Sequence, residues 1–344
     1  MESLLSHRLN RRQVLAALAA GGLAALAAPV TRLERLLAAP ADSIRWRRLT
    51  PKAAPSPRFG AAMTYDAAHR TILLFSGEIR GGGGQDAADA DTWTWDGRSW
   101  TLRSPKASPP ARSRACIGYH PPTGIVVLFG GGNLNGFLGD TWLWNGRNWT
   151  PGPSTGPAAR AAAAMAYDPA TESLLMFGGY GDKMFSDTWA WNGTRWRVLN
   201  PESKPLPTRG ATMAYSAGLG RLVLFGGTHF QGSTRGASET WAWDGQSWTQ
   251  ITFSTWPAAR RYAAMASDPT GGLVLLFGGF DELGALNDTW LLDRGWTQYS
   301  SAGAPSRRAG AAVAFDPSAQ SFVLFGGGDG RTLLSDTWTW GPFA

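Results

Sequence analysis

One pattern, repeated six times along the chain, constrains its fold more than any other feature. The cleanest copy runs from Pro157 to Trp196. It opens with Pro157 and Arg160, alternates through Ala163, Met165 and Tyr167, and breaks at Asp168-Pro169. The apolar run Leu174-Leu175-Met176-Phe177 follows and is closed by Gly178-Gly179. After a loop come Asp187-Thr188-Trp189-Ala190-Trp191, then Asn192-Gly193 and Trp196. The phenylalanine that ends the apolar run recurs at Phe75, Phe129, Phe177, Phe225, Phe277 and Phe325, at spacings of 54, 48, 48, 52 and 48 residues. Self-similarity at such a period marks an array of like supersecondary units that bury their apolar faces on one another.

Each unit reads as four short strands. Ala61, Met63 and Tyr65 in the first copy, and Ala263, Met265 and Ser267 in the fifth, alternate as a half-buried strand does. The apolar run ending in phenylalanine is a buried strand bounded by glycines. The pairs Trp93/Trp95, Trp142/Trp144, Trp189/Trp191, Trp241/Trp243 and Trp338/Trp340 lie on one face of a third strand; the fifth copy has Trp290 and Leu292 instead. Asp96-Gly97, Asn145-Gly146, Asn192-Gly193 and Asp244-Gly245 favour primed hairpin turns. Trp100, Trp149, Trp196, Trp248 and Trp296 then open a fourth strand. Four antiparallel strands in about 50 residues make one propeller blade. The fold expected is therefore all-β: a six-bladed propeller over residues 42–344.

The sixth copy stops after Trp338-Thr339-Trp340 with no fourth strand, and the missing strand sits at the other end of the chain. Trp46 lies 12 residues before Arg58, as Trp100 lies 12 before Arg112. Residues 43–49 are thus expected to complete the last blade and close the ring. Of 18 tryptophans, 17 fall on this template and only Trp256 does not, so their role is core packing.

These residues resemble the kelch repeat, through the double glycine after an apolar strand and the tryptophan that starts the fourth. The resemblance covers about residues 43–344. It implies a kelch-type propeller, a fold used for protein interaction, for sugar binding and, more rarely, for catalysis, so fold alone does not choose a function.

An arginine opens each copy and an acid opens its third strand. The pairs expected are Arg58 with Asp91, Arg112 with Asp140, Arg160 with Asp187, Arg209 with Glu239, Arg260 with Asp288, and Arg307 with Asp336. Antiparallel order places both strand starts on one face, with the glycines between, so each arginine is expected to reach its acid structurally. The rival reading is a ring of arginines facing an anionic ligand.

Ligand contacts are expected where the repeat breaks, in the loops between strands two and three. These hold 15, 10, 9, 13, 10 and 10 residues in chain order. The candidates are Glu78, Arg80, Asn133, Asn135, Tyr180, Lys183, His229, Phe230, Arg235, Phe280, Glu282 and Arg331. Aromatics mixed with amides and both charge signs suit a polar ring-shaped ligand or a peptide. No catalytic or metal-binding motif occurs, so no catalytic residue, metal or cofactor is assigned. The expected function is a binding module for an extracellular glycan or protein. The alternative is a sugar-active enzyme, mutarotase- or epimerase-like, using Glu78 or Glu282 with Arg80 or Arg235.

The formal charge of +7 is concentrated in residues 1–48, where eight arginines and three acids leave +5. That argues against nucleic acid as a partner. Residues 1–41 form a basic start, Arg11-Arg12, and an Ala/Leu/Gly run to Ala28, which resembles a bacterial twin-arginine export signal followed by a linker. A periplasmic or extracellular monomer is expected, meeting the membrane only during export.

Overall fold

The computed structural model describes residues 44–79, 88–229, 236–269, 272–300 and 303–342. Residues 1–41, where an export signal is expected, lie outside them. Six four-stranded antiparallel sheets stand around a central channel. Blade three shows the plan. Its inner strand Ala164–Asp168 pairs with Ser173–Phe177, then Thr188–Trp191, then the outer strand Trp196–Leu199. The other inner strands are Ala62–Asp66, Cys116–His120, Thr212–Ser216, Ala264–Ser267 and Ala312–Asp316. In blade six the outer strand is Ile44–Leu49. It pairs antiparallel with Thr337–Pro342, setting Trp46 opposite Trp340, and so the two ends of the chain close the ring.

The tryptophans divide their work by position. Each outer-strand tryptophan packs on the phenylalanine of the neighbouring blade, as Trp196 does on Phe129 at 5.4 Å and Trp248 on Phe177 at 5.4 Å. Its indole N–H donates to the threonine that starts the same neighbour's third strand. Trp46 reaches Thr289, Trp100 Thr337, Trp149 Thr92, Trp196 Thr141, Trp248 Thr188 and Trp296 Thr240, all at 2.9–3.2 Å. This buried girdle stitches each blade to the one before it. In blades one to four the second tryptophan of the pair packs on the outer-strand tryptophan across the turn, as Trp191 does on Trp196 at 5.5 Å. The first is half-buried and donates to the acid two residues earlier, Trp189 to Asp187 at 2.7 Å.

The Asn-Gly and Asp-Gly sites do not form two-residue primed turns. Trp191 pairs with Trp196, so the loop holds residues 192–195. Only Gly193 has positive φ there, and the Asn192 side chain accepts the N–H groups of Thr194 and Arg195 at 3.1 and 3.0 Å. The side-chain oxygen does the work that a second left-handed residue does in a primed turn.

Two faces follow from the strand order. The loop face carries the starts of strands one and three; the turn face carries the Asp-Pro corners and these side-chain-capped turns. Between them, every second residue of each inner strand points into the channel. The first tier is all alanine: Ala61, Ala115, Ala163, Ala211, Ala263 and Ala311. The next is Met63, Ile117, Met165, Met213, Met265 and Val313. The last is Tyr65, Tyr119, Tyr167, Tyr215, Ser267 and Phe315.

Candidate functional site

At the loop face, the backbone itself rings the channel. Gly60 N–H donates to Gly310, Arg114 to Gly60, Ala162 to Arg114, Gly210 to Ala162, Tyr262 to Gly210 and Gly310 to Tyr262, all at 2.7–2.9 Å. These six residues share one conformation, φ between 55° and 67°. Glycine adopts it freely, whereas a side chain costs roughly 1–2 kcal/mol there. Three positions nonetheless carry side chains, and two of them are large: Arg114 and Tyr262. Strain of this kind is retained where the side chain serves a purpose.

Outside this ring lies the arginine–acid girdle. In five blades the guanidinium is almost wholly buried and makes the same set of bonds. Arg160 donates to Ala158 O at 2.9 Å, to Gly178 O at 3.0 Å, and to both oxygens of Asp187 at 2.5 and 2.9 Å. Arg58 with Asp91, Arg112 with Asp140 and Arg260 with Asp288 repeat the geometry at 2.6–2.7 Å. A side chain at Gly178 is excluded, since a Cβ there would lie 2.5 Å from Thr208 O. Blade one instead carries Ser76 at this position, at φ 60°, with its hydroxyl donating to Arg112 O at 2.6 Å. Burial raises the carboxyls of Asp140, Asp187, Asp288 and Asp336. The guanidinium and indole hydrogen bonds, with the arginine charge, outweigh it and hold each below the usual carboxylate range.

Two of the expected pairs are corrected. The arginine that reaches Asp336 is Arg308, at 2.5 Å, whereas Arg307 is exposed. In blade four the girdle position is Thr208, and Arg209 does not reach Glu239. His229 fills the place of the guanidinium: Thr208 Oγ1 lies 2.8 Å from its Nδ1, and its Nε2 lies 3.2 Å from Glu239 Oε2. The reason is register. Each girdle residue lies 17 positions before the phenylalanine of its blade, which selects Thr208 and Arg308. A shift of one residue turns a side chain from the girdle to the channel mouth.

Arg209 therefore points into the mouth. Its guanidinium lies 4.7 Å over the Tyr180 ring, and its buried Nε has no hydrogen-bond partner among the described residues. The buried Thr228 hydroxyl, across the bridge from Arg209, is likewise without one. Arg261 lies 5.5 Å over Phe280. Burial holds its guanidinium below the usual arginine range, opposed by Tyr262 and reinforced by the like charge of Arg209. Arg114 lies 5.2 Å over Phe59 and donates to Glu78 at 2.6 Å. The Tyr262 phenol is pushed up by burial, against the pull of Arg114, Arg209 and Arg261. Phe59, Arg114 and Tyr262 thus line a cavity of 190 Å³ at the mouth, and the charges of Arg209 and Arg261 act on Tyr262 beside it.

The sequence-derived candidates fall into three groups. Glu78, Phe280 and Arg331 meet in a neighbouring pocket of 160 Å³ shared with Arg114 and Phe59. Tyr180 packs edge-on against Phe137 at 4.9 Å and supports Arg209; His229 belongs to the girdle. Asn133 holds its own loop, accepting Asn135 N–H at 2.9 Å and donating to Ala111 O at 3.1 Å, while Asn135, Lys183 and Glu282 are exposed on loops. Arg80, Phe230 and Arg235 lie outside the described residues. The sequence reading missed Phe59, Arg114, Arg261 and Tyr262 and gave Arg209 only a structural role; all five sit in the first turn before the inner strand. Their signal was departure from the repeat one and two positions after the girdle residue.

A family profile described as the KLHDC2/KLHL20/DRC7 Kelch-repeats domain matches residues 18–227 and 144–294. The chain belongs to the kelch-repeat family. No individual curated protein is similar enough to the chain to count as a match. Kelch propellers generally serve as protein-interaction modules.

Proposed function

We propose that this chain is an exported binding module that captures a protein partner on its loop face, seating an acidic group of that partner among Arg114, Arg209 and Arg261. The observation that carries this reading is Arg209: a half-buried arginine whose Nε is buried and has no partner among the described residues. A carboxylate satisfies such a donor with charge-assisted hydrogen bonds. The surrounding face supports a protein over a glycan. Leu134, Leu206, Trp256 and Leu283 are 50–97% exposed on its loops. Aliphatic loop tips match apolar protein surface better than a sugar's hydroxyls.

A displayed peptide library read against the purified protein tests this. Enrichment of acidic peptides whose binding falls at least about tenfold in Arg209→Gln supports it. Binding to a glycan array with no acidic-peptide enrichment would replace the partner class. Retained peptide binding in Arg209→Gln would remove the site. Export is tested separately: residues 1–45 fused to a folded reporter should direct it out, and Arg11→Lys with Arg12→Lys should stop it.

A further inference from the structure

The other end of the channel is a different chamber. On the turn face the lumen widens to 630 Å³, within the range of about 300–1,000 Å³ that small-ligand sites occupy. Its walls are the methionine and tyrosine tiers described above. Four consecutive blades contribute a tyrosine; Ser267 and Phe315 break the ring in the remaining two. The described residues lining it include no lysine, arginine or histidine, and the one that carries a charge is Asp268. The backbone of Ala68 bonds the Tyr119 hydroxyl, and Ser318 that of Tyr65, each across a blade boundary. All four tyrosines are half-buried where they line the chamber.

We infer that this chamber is a second binding site, for a compact organic cation: an alkylated ammonium group carried on an apolar body. Aromatic faces attract a cation through their quadrupole, most strongly where water is excluded. Methionine sulfurs add a polarisable, adaptable wall for the apolar part. The electrostatics agree. After burial itself, carboxylates push the tyrosine hydroxyls up: Asp316 and Asp66 at Tyr65, Asp66 at Tyr119, Glu172 and Asp168 at Tyr167, with Arg70 opposing at Tyr65. An anion finds no donor cation in the lining, and a neutral molecule leaves the negative potential unused.

The test is a calorimetric titration of the full chain with phenyltrimethylammonium and with its uncharged isostere, tert-butylbenzene. The cation should bind at least about tenfold more tightly. Tyr167→Leu should weaken the cation by about the same factor and leave the isostere within about twofold. Val313→Trp, which fills the lumen, should abolish both, and its melting curve shows whether the fold survives. Equal affinity for the two probes overturns the cation assignment. No heat from either at millimolar concentration overturns the site. Loss of cation binding in Arg209→Gln would move it to the other mouth and overturn it as well.

Discussion

Blades three and four are the same four-stranded scaffold with opposite uses of one arginine. In blade three, Arg160 is buried beneath Phe185, whose ring lies 3.7 Å away, and is fully engaged with Asp187 and two carbonyls. In blade four the girdle is rebuilt from Thr208, His229 and Glu239, and the arginine appears one residue later, facing the mouth. The difference teaches that the girdle needs a donor bridging strand one to the acid, and that two smaller groups can supply it. Once they do, an arginine beside the girdle becomes available for binding without loss of the blade.

Breaking blade three should have the largest effect. Arg160→Ala strands the Asp187 carboxylate and two carbonyl acceptors, and should destabilise the fold by about 3–5 kcal/mol in denaturant titration. A loss under about 1 kcal/mol would mean that the girdle is ornamental. Acid should expose the same difference collectively. Asp140, Asp187, Asp288 and Asp336 have folded pKa values below their unfolded ones, so their contribution is complete above about pH 4 and fades as the pH falls through the folded values. Stability measured from pH 5 to pH 2 should fall, and Arg160→Ala should flatten part of that fall.

Blade four should be milder. His229→Ala leaves Glu239 and Thr208 with one partner fewer and should cost about 1–3 kcal/mol. Adding Thr208→Arg should recover much of that loss, because the vacated space and the acid are both in place. Failure to recover would show that blade four has lost the template geometry rather than substituted for it. The smallest effect separates strain from use. Ala162 holds φ at 55° with only a methyl group, so Ala162→Gly should stabilise the protein by up to about 1 kcal/mol. The same gain should be absent at Arg114 or Tyr262, whose side chains also make contacts across the mouth.

The architecture was legible because the repeat states it six times. The phenylalanine, double glycine and tryptophan positions fix strand identity, and Trp46 shows which strand closes the ring. The girdle was legible as chemistry but not fully as register. Adjacent arginines at Arg307-Arg308 and the Thr208-Arg209 pair look alike in composition, and only the count to Phe325 and Phe225 separates them. The mouth was less legible. Glu78, Tyr180 and Phe280 were visible as loop residues, but Arg114, Arg209, Arg261 and Tyr262 lie beside a strand start and look like part of the repeat.

By itself the sequence determined the number of blades, their strand order and the residues that bury, because periodicity and hydrophobic pattern are local and repeat along the chain. It also determined which type of side chain stands at each step. The tertiary structure alone decided which of those side chains meet. Six chain segments some 50 residues apart converge on one axis, so Phe59, Arg114, Arg209 and Tyr262 become neighbours only when the ring closes. Closure also divides one channel into two chambers, one walled by the alanine tier with Arg114 and Tyr262 and the other by tyrosine and methionine, because alternate residues of each inner strand reach the axis at successive depths.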